Sequence, residues 1–427
     1  MKKIKLAVVG CGNRGNVYAD YAIKFPNEAE IVAVVDVDRV HLQETAEKFG
    51  LKKEGIFENL DDFLAAKVDC DAVINATMDL QHIETATKLI KAGYNQLLEK
   101  PITNNDEEVL ALKALAEKQG VSIVVCHVLR YTAFYKTIKK LILNGELGKI
   151  FHIEMYEHVG VGHFADSFVR GKWGDEDKCG SPLLLQKCCH DTDLMCWLNG
   201  DTAPKAVYSF GQRAYFTPEN APAGATEFCY TCPHNETCNY SAQKLYLEVD
   251  DMPFQTWAGL NKPLAEITMQ EKEAYLKRDD YGKCVYLLKR NLVDRQSVAV
   301  NFENGSIGTL AVIGGCPRGG RYIHIVGSIG EAEGHFEDNK FILRKFIRTP
   351  ETFGVQEKTV DVTELLKNDD SGHGGGDLAI MHDYVRFLNG DKSSISITKI
   401  EDSINGHRCV YLAEKSRKTN QIIFFKK

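Results

Sequence analysis

An apolar run, Lys5-Leu6-Ala7-Val8-Val9, passes directly into Gly10-Cys11-Gly12-Asn13-Arg14-Gly15, and this junction restricts the fold more than any other stretch. In a strand-turn-helix unit the first glycine permits the tight turn, the second lets a pyrophosphate approach the backbone, and the third lets the helix pack on its strand. N–H groups at the start of that helix then face the phosphates. A second apolar run, Ile31 to Val35, ends on Asp36. A carboxylate there accepts from a ribose diol and repels a 2′-phosphate, so the expected cofactor is NAD(H) rather than NADP(H). The expected cradle is Gly10, Gly12, Asn13, Arg14, Gly15 and Asp36.

The alternation continues to about residue 130. Helices are expected over 16–24 and 40–49, then a strand over 71–77 that is apolar on successive positions, as a parallel strand covered on both faces should be. A helix over 82–91, a strand over 96–98 leading into Glu99-Lys100-Pro101, a helix over 105–118 and a strand over 121–126 complete the set. This pattern predicts an α/β fold whose N-terminal domain, residues 1–130, is a doubly wound parallel sheet. Residues 131–427 read as a second α/β domain. It has a bridging helix over 133–144, an alternating strand over 149–158 and a helical run containing His190 to Leu198. Strands 297–302 and 307–313 are joined by Asn304-Gly305, a strong antiparallel hairpin signal. Strands at 323–326 and 340–346 extend that sheet, and helices over 377–388 and 403–415 precede a last strand at 421–425. A polar, cysteine-bearing insertion with little periodicity occupies about 216–285.

Composition narrows the partners. The 52 basic and 59 acidic residues form no long run of one sign, which gives no electrostatic footprint for nucleic acid or an anionic membrane. A small molecule is the expected partner. The charged start Met1-Lys2-Lys3 is followed by an apolar run that breaks at Gly10, short of the roughly 7 to 15 residues of a signal-peptide core. No stretch approaches the roughly 18 apolar residues of a membrane span. Thirteen cysteines without an export signal read as free thiols or metal ligands in a reducing compartment, so the cytoplasm is the expected location.

The GCGNRG fingerprint, the tripeptide Glu99-Lys100-Pro101 at a strand end, and the histidine-bearing segment near 180–200 together resemble the Gfo/Idh/MocA family. The resemblance implies a Rossmann domain followed by an α/β domain whose open, mostly antiparallel sheet carries the substrate site and often an oligomer interface, hence a homo-oligomer, dimer or tetramer. It implies a cis bond before Pro101 and a catalytic histidine at His190 in a GxHxxD context. This chain departs from that context: Gln186 replaces the usual acid, Cys188 replaces the usual glycine, and Lys187 stands beside them as a candidate for the proton work. Lys100 has a claim of its own. It lies at the carboxyl end of a parallel strand, where open α/β sheets bind ligands, and there it can hydrogen-bond a substrate hydroxyl and relay its proton. The plain alternatives are a solvated surface lysine and a satisfied core histidine.

Asn75, Thr77, His82 and Glu99 lie at strand or helix ends beside the expected cofactor cleft. Arg130 and Tyr131 match an arginine-aromatic pair that the family places near substrate, and Glu157, His158, Gln186 and His163 are candidates for the sugar side. Gly372-His373-Gly374-Gly375-Gly376-Asp377 either brings His373 or Asp377 to the cleft or is a turn with Asp377 as helix cap. Cys229, Cys232 and Cys238, with Cys284, have a spacing that suits structural zinc, fits an iron–sulfur cluster less well, and is also compatible with unliganded thiols.

The expected function is an NAD-dependent oxidoreductase acting on a secondary hydroxyl of a sugar, cyclitol or sugar derivative. The alternative is glycoside hydrolysis with tightly held NAD, through transient ring oxidation, elimination, water addition and re-reduction. A non-catalytic NAD-binding regulator is the third reading, and Lys100 together with His190 argues against it.

Overall fold

The computed structural model describes residues 1–200, 202–249, 256–366 and 372–425; part of the expected insertion, residues 250–255, lies outside them. The first sheet contains β1 (Ile4–Val9), β2 (Ala29–Val35), β3 (Ile56–Phe57), β4 (Ala72–Asn75), β5 (Asn95–Leu98) and β6 (Ile123–Val125). Their order is β3-β2-β1-β4-β5-β6, and every pairing is parallel. Chain order reverses between β1 and β4, which opens a crevice at their carboxyl ends. Leu6, Val8, Ile74, Leu97 and Val124 are fully buried in this sheet. Each such aliphatic side chain contributes about 1.5–3 kcal/mol of transfer free energy.

Local signals set the helices around it. In Asp106–Gln119 the Asn105 side chain accepts from the N–H groups of Glu107 and Glu108, three acids occupy the first turn, and Gly120 ends the helix at φ 67°. Gly376–Leu388, far away in sequence, lays Ile380, Met381, Tyr384 and Val385 into the same core as β1 and β2. Val125 N–H donates to Thr398 O at 2.7 Å, so the first sheet is also held along its last strand by the C-terminal part of the chain.

The second sheet contains β7 (Ile150–Gly160), β8 (Pro204–Gln212), β9 (Arg295–Phe302), β10 (Ile307–Cys316), β11 (Gly320–Gly327), β12 (Gly330–His335), β13 (Lys340–Arg348), β14 (Phe353–Asp361) and β15 (Ile423–Phe424). Its order is β14-β13-β12-β11-β7-β10-β9-β8-β15. All its neighbours are antiparallel except β7 and β10, because β7 enters the middle of the sheet from the first domain beside the β9–β10 hairpin. The expected Asn304-Gly305 hairpin is present, with Gly305 at φ 86°. Helices Leu183–Leu198 and Ile400–Thr419 pack on one face. The first of these is buried almost all round. β3, β8, β12 and β14 are additional to the strands read from the sequence.

Candidate active site

A cleft of about 870 Å³ lies at the carboxyl end of the first sheet and is closed on its far side by residues of the second half. Gly12, Asn13, Arg14, Ala76, Thr77, His82, Glu99 and Lys100 come from the strand ends, and His190 and His373 face them. The glycine positions have the steric requirements that the fingerprint implies. A Cβ on Gly10, at φ 93°, would lie 2.4 Å from Ala76 O, and one on Gly15 would lie 2.0 Å from Gly10 O. A Cβ on Gly12 would meet nothing within 4 Å, so the space beside it is open for a phosphate. These residues fit a dinucleotide.

The cradle is held by charge. Arg14 donates from Nε to Glu99 Oε1 at 2.9 Å and from Nη2 to Asp377 Oδ1 at 2.7 Å. Glu99 also accepts from Tyr18 Oη at 2.8 Å and from the Lys100 N–H at 2.6 Å. Burial alone would raise the Glu99 carboxyl, but Arg14 and Lys100 outweigh it and hold Glu99 below the usual range. Asp377 is likewise held low against its burial by His373 and Arg14. Of the two readings of the glycine loop, the structure therefore shows the one that brings His373 to the cleft: His373 Nδ1 lies 3.1 Å from Asp377 Oδ2, and the Asp377 side chain makes no helix-cap bond. His82 lies between the carbonyls of Pro101, 2.6 Å, and Thr77, 2.9 Å, tying two strand-end loops together. Asp36 ends β2 with Oδ2 accepting from Cys11 N–H at 2.6 Å and Oδ1 from Asp38 N–H at 2.8 Å. Its carboxylate is thus fixed against the fingerprint turn.

Lys100 and His190 meet in the cleft. The Lys100–Pro101 peptide is cis, and Lys100 Nζ donates to Gln186 O at 3.3 Å, on the helix that carries His190. Burial, and then the charge of Lys100, push the His190 imidazole well below the usual histidine range, so the ring is neutral. Its neighbour His127, ring centroid 5.6 Å away, is also buried and held low, and neither of its ring nitrogens has a hydrogen-bond partner among the described residues.

Several expected site residues are elsewhere. Arg130 is buried and paired with Asp193 through two bonds of 2.7 and 2.6 Å, and the Tyr131 hydroxyl bonds to Thr398, so this pair locks the domain linker instead of touching the cleft. Glu157 faces inward from β7 to Arg321 at 2.9 Å and Lys187 at 3.1 Å. Strand alternation puts His158 on the opposite face, 4.3 Å from the Tyr156 ring. His163 is pushed down to about 3 by burial. Gln186 spends its amide N–H groups on Ser181 O and Cys179 Sγ. Lys187, paired with Glu157, does not line the cleft.

The cysteine expectation needs correction. Cys229, Cys232, Cys238 and Cys284 do line one small cavity of about 20 Å³. Yet all four are free thiols, and among the described residues no group of three or more His, Cys, Asp or Glu side chains is arranged to hold a metal ion. One thiol is already engaged, because Cys229 Sγ accepts from the buried Arg170 guanidinium at 3.4 Å. The expected zinc therefore has no preformed ligand set.

Sequence reasoning missed the far wall of the cleft: Arg170, Lys172, Trp173, Tyr281 and Arg290. A lysine-tryptophan pair next to a buried arginine has no periodic or motif signature. Only the fold shows that the insertion folds back onto it.

The same two-domain architecture recurs in known proteins. The family described as "Oxidoreductase family, NAD-binding Rossmann fold" (GFO_IDH_MocA) matches residues 4–127, and its companion "C-terminal alpha/beta domain" matches residues 139–424. The oxidoreductase YteT of Bacillus subtilis is 24% identical over 375 residues, 84% of this chain and 83% of its own. The inositol 2-dehydrogenase of Corynebacterium glutamicum strain R is 26% identical over 201 residues, 47% of this chain and 55% of its own. Among solved structures, the WlbA dehydrogenase of Bordetella pertussis in complex with NADH and UDP-GlcNAcA covers 100% of this chain and 99% of its own, with TM-score 0.68 and 17% identity.

Proposed function

Because the chain belongs to the Gfo/Idh/MocA family of NAD-dependent oxidoreductases, we propose that it oxidises a secondary hydroxyl of a sugar, cyclitol or sugar derivative at the Lys100–His190 site. The observation that carries this reading is the convergence of Lys100, on a strand end of the first sheet, and neutral His190, on a helix of the second, in the cleft that the fingerprint glycines open. The bound nicotinamide would supply the two-electron acceptor, held by Gly10, Gly12, Asn13, Arg14, Gly15, Asp36, Thr77, His82 and Glu99. The chain's own residues handle the proton. The Lys100 ammonium hydrogen-bonds the hydroxyl oxygen and stabilises negative charge as it develops there. His190 offers an unprotonated ring nitrogen to the leaving proton. Gln186, in place of a carboxylate, orients Lys100 through its backbone carbonyl and takes no proton.

Lys100→Ala should lower turnover by roughly 10²- to 10⁴-fold while NAD affinity, measured by fluorescence titration, stays near the parent value. His190→Ala should act similarly. Near-normal turnover in both variants would refute the assignment. The depressed His190 also fixes the sign of the pH response. A base held below the usual histidine range stays unprotonated there, so the acid limb of kcat/KM should fall below about pH 6.5. A limb at or above that value would remove His190 from the role.

One observation favours the hydrolytic alternative. The segment carrying Lys172 to Gly180 reaches across the cleft to the first sheet: Asn104 Nδ2 donates to Gly180 O at 2.6 Å, and a Cβ on Gly180 would meet Leu80 at 2.4 Å. Such a strap suits a cofactor retained through turnover. Aglycone release without net NADH formation would select that reading, and stoichiometric NADH the simple oxidation.

A further inference from the structure

Lys172 and Trp173 line the same cleft as Lys100 and His190, and Lys172 Nζ reaches Met78, just past the end of β4. They occupy a short segment whose position is fixed from below. The Arg170 guanidinium is fully buried and donates to Tyr240 O at 2.6 Å, Lys283 O at 2.8 Å and Cys229 Sγ at 3.4 Å. Arg290 reaches the carbonyls of Val169, 2.8 Å, and Arg170, 3.1 Å, and pairs with Asp280 at 2.8 Å. Two arginines from different parts of the chain thus clamp the backbone immediately before Lys172. The insertion, including its thiol-lined loop, is the buttress of this wall. A wall preorganised in this way is what a binding group needs to hold its geometry.

What the segment presents is chemically selective. The Trp173 indole lies 4.5 Å below the Lys172 ammonium, giving an apolar face and a cation side by side. The Lys172 ammonium has no carboxylate within ion-pair distance among the described residues; its hydrogen-bond contact is Met78 Sδ at 3.8 Å. Lys172 is exposed as a residue, yet partial desolvation of its ammonium in the cleft lowers it from the usual lysine range, with the charge of Asp79 acting the other way. Of the other cations lining the cleft, Lys100 also has no carboxylate within ion-pair distance among the described residues but is engaged with the His190 helix through Gln186 O, and Arg170 spends its guanidinium on two carbonyls and Cys229 Sγ; the remaining three are paired. Arg14 is paired with Glu99 and Asp377, Arg290 with Asp280, and Lys178 with Asp175 at 3.6 Å. A cation left without a counterion beside an aromatic face, in a cleft of a chain with net charge −7, is a place for an anionic group on the ligand.

We propose that Lys172 and Trp173 form the substrate-selecting subsite, and that the substrate is an acidic sugar whose ring stacks on Trp173 while its carboxylate pairs with Lys172. This rests on the assignment of the cleft as a sugar-oxidising site and adds the chemical class of the sugar. A lysine makes a point-charge contact, so it recognises the carboxylate's charge without dictating one ring stereochemistry.

The test compares sugars that differ only in that charge. NADH-loaded full-length protein is titrated calorimetrically with D-glucuronate, D-galacturonate and D-mannuronate, each against its parent hexose and its neutral methyl ester. At least one uronate should bind about tenfold or more tighter than both neutral partners, as expected for a charge-assisted contact. Lys172→Met should abolish that preference and leave hexose binding unchanged, and Lys172→Arg should restore it. Trp173→Ala should weaken the uronate and its hexose alike. Absence of any uronate preference in the parent overturns the proposal. So does a Lys172→Met variant that loses NAD affinity while keeping the preference, because the lysine would then serve the cofactor's phosphates. If the preference is present but no sugar yields NADH or loses its aglycone, the oxidation assignment fails and the subsite stands.

Discussion

The two sheets are covered by layers of different chemistry. The first is an aliphatic core: Leu6, Val8, Ile74 and Leu97 are fully buried, and Gly10 and Gly15 in the turn after β1 leave room only for hydrogen. The second buries charge. Between its face and helix Leu183–Leu198 lie Glu157, Asp191 and Arg321, with Arg321 Nε at 2.9 Å from Glu157 and 3.0 Å from Asp191. The Lys187 ammonium adds a fourth charge at 3.1 Å from Glu157. Apolar burial is non-directional and tolerates drift, whereas each of these charges needs its partner in place. The first half therefore supplies a cofactor cradle whose turn is fixed by close approach, with a single ion cluster of Arg14, Glu99 and Asp377 beside it, and the second supplies a wall whose geometry is fixed by ions paired across its interior. That division predicts where substitutions act on binding, on stability and on pH response.

The largest effect is expected where steric tolerance is zero. A Cβ at Gly15 would overlap Gly10 O at 2.0 Å, and at Gly10 any side chain also meets a positive φ. Gly15→Val should abolish NAD binding in a titration and destabilise the domain by more than about 4 kcal/mol. A variant that binds NAD normally would break the claim that this half is fixed by close approach.

In the second sheet the corresponding substitution is Arg321→Met. It leaves Asp191 buried without its cation and Glu157 with Lys187 alone, and removing one side of a buried ion cluster costs about 3–5 kcal/mol. Burial, opposed by Arg321, already raises the Asp191 carboxyl to about 6, so this pair has little reserve. Urea unfolding measures the loss. A triple replacement of Arg321, Glu157 and Asp191 by apolar residues should recover much of it, and failure to recover would mean that packing and not charge is the constraint.

This contrast also governs how much the sequence discloses. The parallel sheet, the glycine turn, the Lys100 strand end and the His190 helix are legible because period and motif are local properties. Sequence reasoning places Arg130 and Glu157 near the substrate, yet their partners, Asp193 and Arg321, lie far away in sequence and turn both into structural ions. β8, β12 and β14 are set by pairing with strands that no short window reveals, and β14, at the sheet edge, is largely exposed and carries no apolar alternation. The Lys172–Trp173 wall is invisible for the same reason: its position depends on Arg290 and the insertion.

A smaller effect separates the halves by pH. His163 and His407 in the second half are both held down to about 3, chiefly by burial. The unfolded chain takes up protons at these sites near pH 6.5 and the folded chain does not, so stability rises with pH through this range and is lost as pH falls below about 6.5. Each group contributes a slope of at most about 1.4 kcal/mol per pH unit. Asp191, raised to about 6, works the other way, because its folded form keeps a proton that the unfolded form releases. His127 and His190 are held low as well, so with four histidines against this one carboxyl the urea midpoint should drop between pH 6.5 and 5. His407→Gln, which keeps an acceptor for the Ile102 N–H, should flatten the drop, and an unchanged slope would exclude His407 as a contributor.

The smallest effect is expected at the cysteines of the insertion, where a free thiol and a metal ligand predict opposite outcomes. If Cys232 and Cys238 are free thiols lining a cavity of about 20 Å³, replacing either by serine changes one partly exposed side chain in a loop. The cost should stay within about 1 kcal/mol, which at this chain length shifts the melting temperature by only a few degrees. Protein purified without chelator should carry no stoichiometric zinc or iron before or after the change. A structural ion would behave very differently. Its binding free energy is folding free energy, of order 10 kcal/mol for a closed thiolate site, so losing one ligand would collapse the insertion. The wall it supports would then move as well, since Cys229 Sγ and Lys283 O both hold Arg170. A large drop in stability of Cys232→Ser, accompanied by loss of a bound metal and of ligand affinity in the cleft, would overturn the free-thiol assignment and make the insertion the most rigid part of the second half.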